Sequence, residues 1–86
     1  MWSVVVSKKA EKSLLSIKQP TQNKIARFLV DLRNGFFIDN WDIKKLSGFE
    51  NQYRCRVGNY RILYEVNKKE IVIYIIEILP RKDAYK

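Results

Sequence analysis

The sequence predicts an α+β fold of order β-α-α-β-β-β, with a two-helix hairpin on one face of a mainly antiparallel four-stranded sheet. Three observations lead there. Two stretches between residues 8 and 32 repeat their apolar residues at helical spacing. From residue 52 to 79, apolar and polar residues alternate in three successive runs. Between the first two runs stands Gly58-Asn59, a pair suited to a two-residue hairpin turn.

Taken in order, "WSVVVS" (2–7) is short and β-branched and reads as the first strand. Ser7 is placed to cap a helix through "KKAEKSLLSIK", whose Ala10, Leu14 and Ile17 share one face. Gln19-Pro20 ends it, and Pro20 suits the first turn of a second helix. There Ile25, Phe28, Leu29 and Leu32 make an apolar stripe, and "RNG" (33–35) signals the end. Residues 36–51 show no sustained period and read as an ordered loop held down by Phe36, Phe37 and Trp41. Strands are expected at 52–57, 60–66 and 70–79. The 86 residues make one domain, 1–86, with a modest core.

Composition narrows the function. Seventeen Lys+Arg against nine Asp+Glu give +8 at neutral pH, which favours a polyanionic partner such as nucleic acid or an acidic protein. The single cysteine, Cys55, excludes an internal disulfide and fits a reducing cytoplasm. With no signal-like opening and no apolar run of spanning length, no membrane role is expected. Histidine is absent, which removes the commonest general base and the commonest metal ligand. No cofactor or metal is expected.

The segment "YRCRVGNYRILYEV" (53–66) concentrates the interest. A turn at Gly58-Asn59 pairs Val57 with Tyr60, Arg56 with Arg61, Cys55 with Ile62, Arg54 with Leu63 and Tyr53 with Tyr64. Opposed residues project to one face, so Tyr53, Cys55, Val57, Tyr60, Ile62, Tyr64 and Val66 form the core side. Arg54, Arg56 and Arg61 share the other with Leu63 and Glu65. Like charges opposed across a sheet cost about 0.2–1 kcal/mol per pair, so Arg56 facing Arg61 points to an anion site. If residues 67–70 connect to the last strand, Val66 faces Ile71 and Arg61 lies near Ile76. That strand then ends at Leu79-Pro80 beside the hairpin turn, bringing Arg81, Lys82 and Tyr85 to the arginines. With Lys44 and Lys45, these side chains suit RNA: guanidinium groups grip phosphate, and Arg or Tyr planes stack on splayed bases.

On "IKKLSG" (43–48), the hairpin block and the terminal "RKDAY" (81–85), the chain resembles the RelE/ParE superfamily of small toxins, and most the RelE branch. The resemblance implies a ribosome-dependent, metal-independent endoribonuclease that cleaves mRNA in the ribosomal A site and is held inactive by a RelB-like antitoxin. It implies that Arg61 and Arg81 bind the scissile phosphate and stabilise its charge, and that Tyr85 stacks on or organises the substrate nucleotide. Arg56 joins them as a catalytic candidate; Arg54, Lys44, Lys45 and Lys82 are expected to bind RNA. Arg54 and Arg56 stand where well-studied RelE enzymes carry lysines, a departure with chemical weight. Arginine stays protonated and is a poor general base. Either Tyr85 or a ribosomal group then moves the proton, or catalysis is chiefly positioning and electrostatics. Two other readings share the scaffold: a ParE-like inhibitor of DNA gyrase without nuclease activity, and a degenerate relative that binds antitoxin or RNA. Under any of them, a +8 toxin suits an acidic antitoxin segment that folds as it wraps the helices and a sheet edge.

Overall fold

The computed structural model describes residues 1–80 and runs β1 (Ser3–Val6), α1 (Lys8–Ser16), α2 (Thr21–Asp31), a 3-10 turn (Leu32–Asn34), β2 (Asp42–Lys45), β3 (Gln52–Val57), β4 (Tyr60–Asn67) and β5 (Val72–Pro80). The sheet order is β1-β5-β4-β3-β2; β1 lies parallel to β5, and every other neighbouring pair is antiparallel. Among the described residues no helix is long and apolar enough to cross a membrane.

The helices form where the apolar spacing placed them. Ser7 caps α1, its Oγ accepting from the Ala10 backbone N–H at 3.0 Å. Pro20 sits just outside α2, at the cap position. Ala10 and Ile17 from the first helical stretch, and Ile25, Phe28 and Leu32 from the second, are buried against Tyr53, Cys55, Val57, Ile62, Tyr64 and Val66 of the hairpin and against Ile73, Ile75 and Ile78 of β5. Aromatic rings lock this layer: Phe28 meets Trp41 edge-on at 5.2 Å and Tyr64 at 5.8 Å, and Tyr53 stacks on Tyr64 at 5.7 Å.

Three expectations need correction. The sheet has five strands rather than four, because residues 42–45 of the expected loop pair with β3. That strand hides in the sequence because only Ile43 points to the core, between polar Asp42, Lys44 and Lys45. Of the three aromatics expected to pin the 36–51 segment, Phe36 and Trp41 pack on the core, whereas Phe37 is 56% exposed. Trp41 is also held by its indole N–H, which donates to Asp31 at 2.8 Å.

The third correction concerns β5. Val66 faces Ile73, not Ile71, and Arg61 faces Leu79, not Ile76. The turn takes in Ile71 itself, at φ 59°, so the strand begins at Val72 rather than at residue 70. A bulge then intervenes: Tyr64 faces Ile75 and Leu63 faces Glu77, leaving Ile76 without a partner. The bulge breaks the period of two, and so Ile73, Ile75 and Ile78 all face the core. The strand still finishes beside the hairpin turn, with Tyr60 opposite Pro80.

Candidate nucleic-acid interface

The β3–β4 hairpin has the expected register, residue for residue, from Val57–Tyr60 through Arg56–Arg61 to Tyr53–Tyr64. Gly58 has φ +58° and Asn59 does not share its sign, the signature of a two-residue turn with glycine first. A side chain there would be strained by the backbone conformation, although its Cβ would meet Thr21 of α2 only at ordinary contact distance, 3.4 Å. The register therefore follows from the turn, and the register puts Arg54, Arg56 and Arg61 on the face away from the helices.

β2 adds the rest of this surface. Lys44 pairs with Arg54 and Asp42 with Arg56, so both lie on the arginine face. Together Lys44, Lys45, Leu46, Ser47, Arg54, Arg56 and Arg61 line one cleft of about 300 Å³. Of the residues expected to bind RNA, five thus converge. Arg81, Lys82 and Tyr85 lie outside the described residues. Leu46 and Ser47 were not anticipated as part of it.

The electrostatics of the cleft are unusual for a sheet surface. Arg54 is 9% exposed, and Arg56 and Arg61 are half-buried. Arg54 Nη1, Arg56 Nε and Arg61 Nε are buried and have no hydrogen-bond partner among the described residues. Arg54 Nη1 does lie 3.5 Å from Asp42 Oδ1, within range of an ion pair but not bonded to it. Asp42 is largely exposed, so water screens that attraction. An unpaired buried donor costs about 1–3 kcal/mol, more when charged. Three of them in one cleft form a site that gains free energy when an oxyanion supplies acceptors.

Two buried groups of the hairpin, Cys55 and Tyr64, are unsuited to proton transfer. Burial, then the Asp42 charge, pushes the Cys55 thiol up from 9.0 to about 12 against the opposing pull of Arg54, so it stays protonated and inert at neutral pH. Burial likewise raises the Tyr64 phenol, which donates to the Phe36 carbonyl at 2.7 Å. Both belong to the core face.

Residues 4–85 match the family described as the ParE toxin of the type II toxin-antitoxin system, parDE. The chain belongs to that family. It is also 34% identical over 84 residues to the toxin RelE3 of Methanocaldococcus jannaschii, covering 95% of this chain and 93% of the relative. Among solved structures, the toxin resembles the RelB-RelE antitoxin-toxin complex from Methanococcus jannaschii, at 33% identity and TM-score 0.81 over 95% of each chain. The archaeal RelE-RelB complex from Pyrococcus horikoshii gives 31% identity and TM-score 0.78, over 93% of the toxin and 94% of that chain. Isolated RelE of E. coli, at 18% identity and TM-score 0.78 over 93% of the toxin and 84% of that chain, shares the fold.

Proposed function

We propose that the toxin is a ribosome-dependent endoribonuclease that cleaves mRNA in the ribosomal A site and so stops translation. The observation that carries this reading is a set of three buried guanidinium nitrogens on Arg54, Arg56 and Arg61 in one cleft, without a hydrogen-bond partner among the described residues. Fixed donors of this kind favour the extra negative charge that builds on phosphorus when a ribose 2′-OH attacks. The donor set is cationic, which suits a metal-independent reaction: the arginines take the charge-stabilising part that a divalent ion plays elsewhere.

In this mechanism Arg56 and Arg61 hold the scissile phosphate, Arg81 completes the clamp, and Arg54, Lys44, Lys45 and Lys82 grip the flanking backbone. Tyr85 organises the nucleotide. Arginine does not give up its proton at neutral pH, so deprotonation of the 2′-OH falls to Tyr85 or to a group of the ribosome, or the site works by positioning alone. The cytoplasm is the compartment of this reaction.

The inhibitor in this reading is an acidic, RelB-like antitoxin. The two archaeal structures are complexes of RelE with RelB. The toxin also leaves apolar side chains uncovered on both layers, with Leu15 and Val30 exposed on the helices and Val5 and Ile76 on the sheet. Scattered sites of that kind suit a long segment that folds as it wraps.

Primer extension on messages after induced expression tests the nuclease. Wild type should produce cuts at A-site codons, and Arg61→Ala should remove them while the circular dichroism spectrum is unchanged. Intact messages during growth arrest by the wild type would overturn the reading. The ParE description of the matching family favours a second reading, inhibition of DNA gyrase. A supercoiling assay separates the two, since a gyrase inhibitor blocks supercoiling and leaves mRNA whole.

A further inference from the structure

A second hollow, of about 470 Å³, adjoins the arginine cleft and shares Lys45, Leu46 and Ser47 with it. Its remaining wall is Gly48, Phe49 and Glu50, at the tip of the loop between β2 and β3. This loop is tied down at several points. The Leu46 N–H donates to the Gln52 carbonyl at 2.9 Å, the Phe49 N–H to the Leu46 carbonyl at 3.4 Å and the Val66 N–H to the Asn51 carbonyl at 2.8 Å. Gly48, at φ +82°, takes a left-handed conformation that reverses the chain. The result is a braced loop backbone that leaves the Phe49 ring 54% exposed, opening off a cationic cleft.

Such a ring beside a phosphate-binding groove is the arrangement by which proteins hold unpaired bases. We propose that Phe49 is a stacking platform for a base of the RNA strand whose phosphate the arginines hold. The proposal rests on reading the cleft as an RNA phosphate site. Two features make the hollow a seat for a base rather than for another phosphate. Glu50 on its wall repels an anion, and the surface that Phe49 offers is apolar. Gln52 and Arg56 are about 14 Å apart along β3 at roughly 3.4 Å per residue. The stacked base therefore belongs to a nucleotide further along the strand than the one clamped by Arg56 and Arg61, and Phe49 acts in positioning.

The full-length toxin can be titrated by fluorescence anisotropy with two labelled probes, a hexa-adenylate RNA and an abasic ribose-phosphate chain of the same length. Phe49→Leu should weaken hexa-adenylate binding by roughly tenfold, the scale of one base–aromatic stack, and leave the abasic chain unaffected. Phe49→Trp should restore it. Arg61→Ala should weaken both probes. If Phe49→Leu binds hexa-adenylate as wild type does while Arg61→Ala still weakens both, stacking is wrong and the phosphate cleft stands. If the wild type binds neither probe, the cleft reading fails and the stacking proposal falls with it.

Discussion

The two faces of the β3–β4 hairpin share a backbone and a register, yet they solve opposite problems. On one face Tyr53, Cys55, Val57, Ile62 and Tyr64 are no more than 6% exposed and pack on the helices. The Tyr64 phenol and the Cys55 thiol are held neutral by burial, and the Tyr64 hydroxyl has its acceptor. On the other face three guanidinium groups crowd together with donors unmet. A strand side chain one position along is on the opposite face, so stability and binding can be carried by alternate residues of the same fourteen-residue segment 53–66. The difference teaches that the cost of a charged cleft is borne locally, by a core just behind it.

The comparison can be broken most severely from the core side. Phe28→Ala should cost about 3–5 kcal/mol, because it empties the space between Trp41 and Tyr64; urea unfolding measures it. In a chain of this size such a loss threatens folding itself. Tyr64→Phe should cost less, about 1–3 kcal/mol, since it keeps the ring and strands the Phe36 carbonyl. Substitution on the opposite face should reverse the sign. Arg56→Met removes the Arg56–Arg61 repulsion and should raise stability by up to about 1 kcal/mol while weakening RNA binding. A loss of stability in that variant would mean that the arginines hold the sheet rather than await a ligand.

A last effect, absent at neutral pH, sharpens the comparison at high pH. The Cys55 thiol titrates at about 12 in the fold against an ordinary 9.0, so the folded state keeps its proton longer than the unfolded chain. That contribution is whole below pH 9 and is lost as pH rises from there through about 12. Melting temperatures measured across this window should fall more steeply for the wild type than for Cys55→Ala. Equal slopes would show that the thiol is not buried as described.

Legibility followed local physics. The helix stripes and the hairpin register could be read because each depends on neighbours in sequence: Ala10 with Leu14 and Ile17, or Val57 with Tyr60 across one turn. β2 could not be read, since a four-residue edge strand with one core residue has almost no period of its own. The bulge at Ile76 was equally silent, because it is a compromise between β4 and β5 rather than a property of either. The cleft was legible in its arginines and lysines but not in Leu46 or Ser47, which follow β2 in the chain. Arg81, Lys82 and Tyr85, read from the resemblance, lie outside the described residues.

Alternation and turn chemistry, both written in the order of residues, decided that the arginines would share a face and that this face would turn from the helices. Tertiary structure decided how deeply they would sit. β2 lies alongside β3, and β5 alongside β4, through contacts between segments far apart in the chain. Burial is what turns three surface charges into unpaired donors waiting for an oxyanion, since the cost of an unmet hydrogen bond appears only where water is kept out.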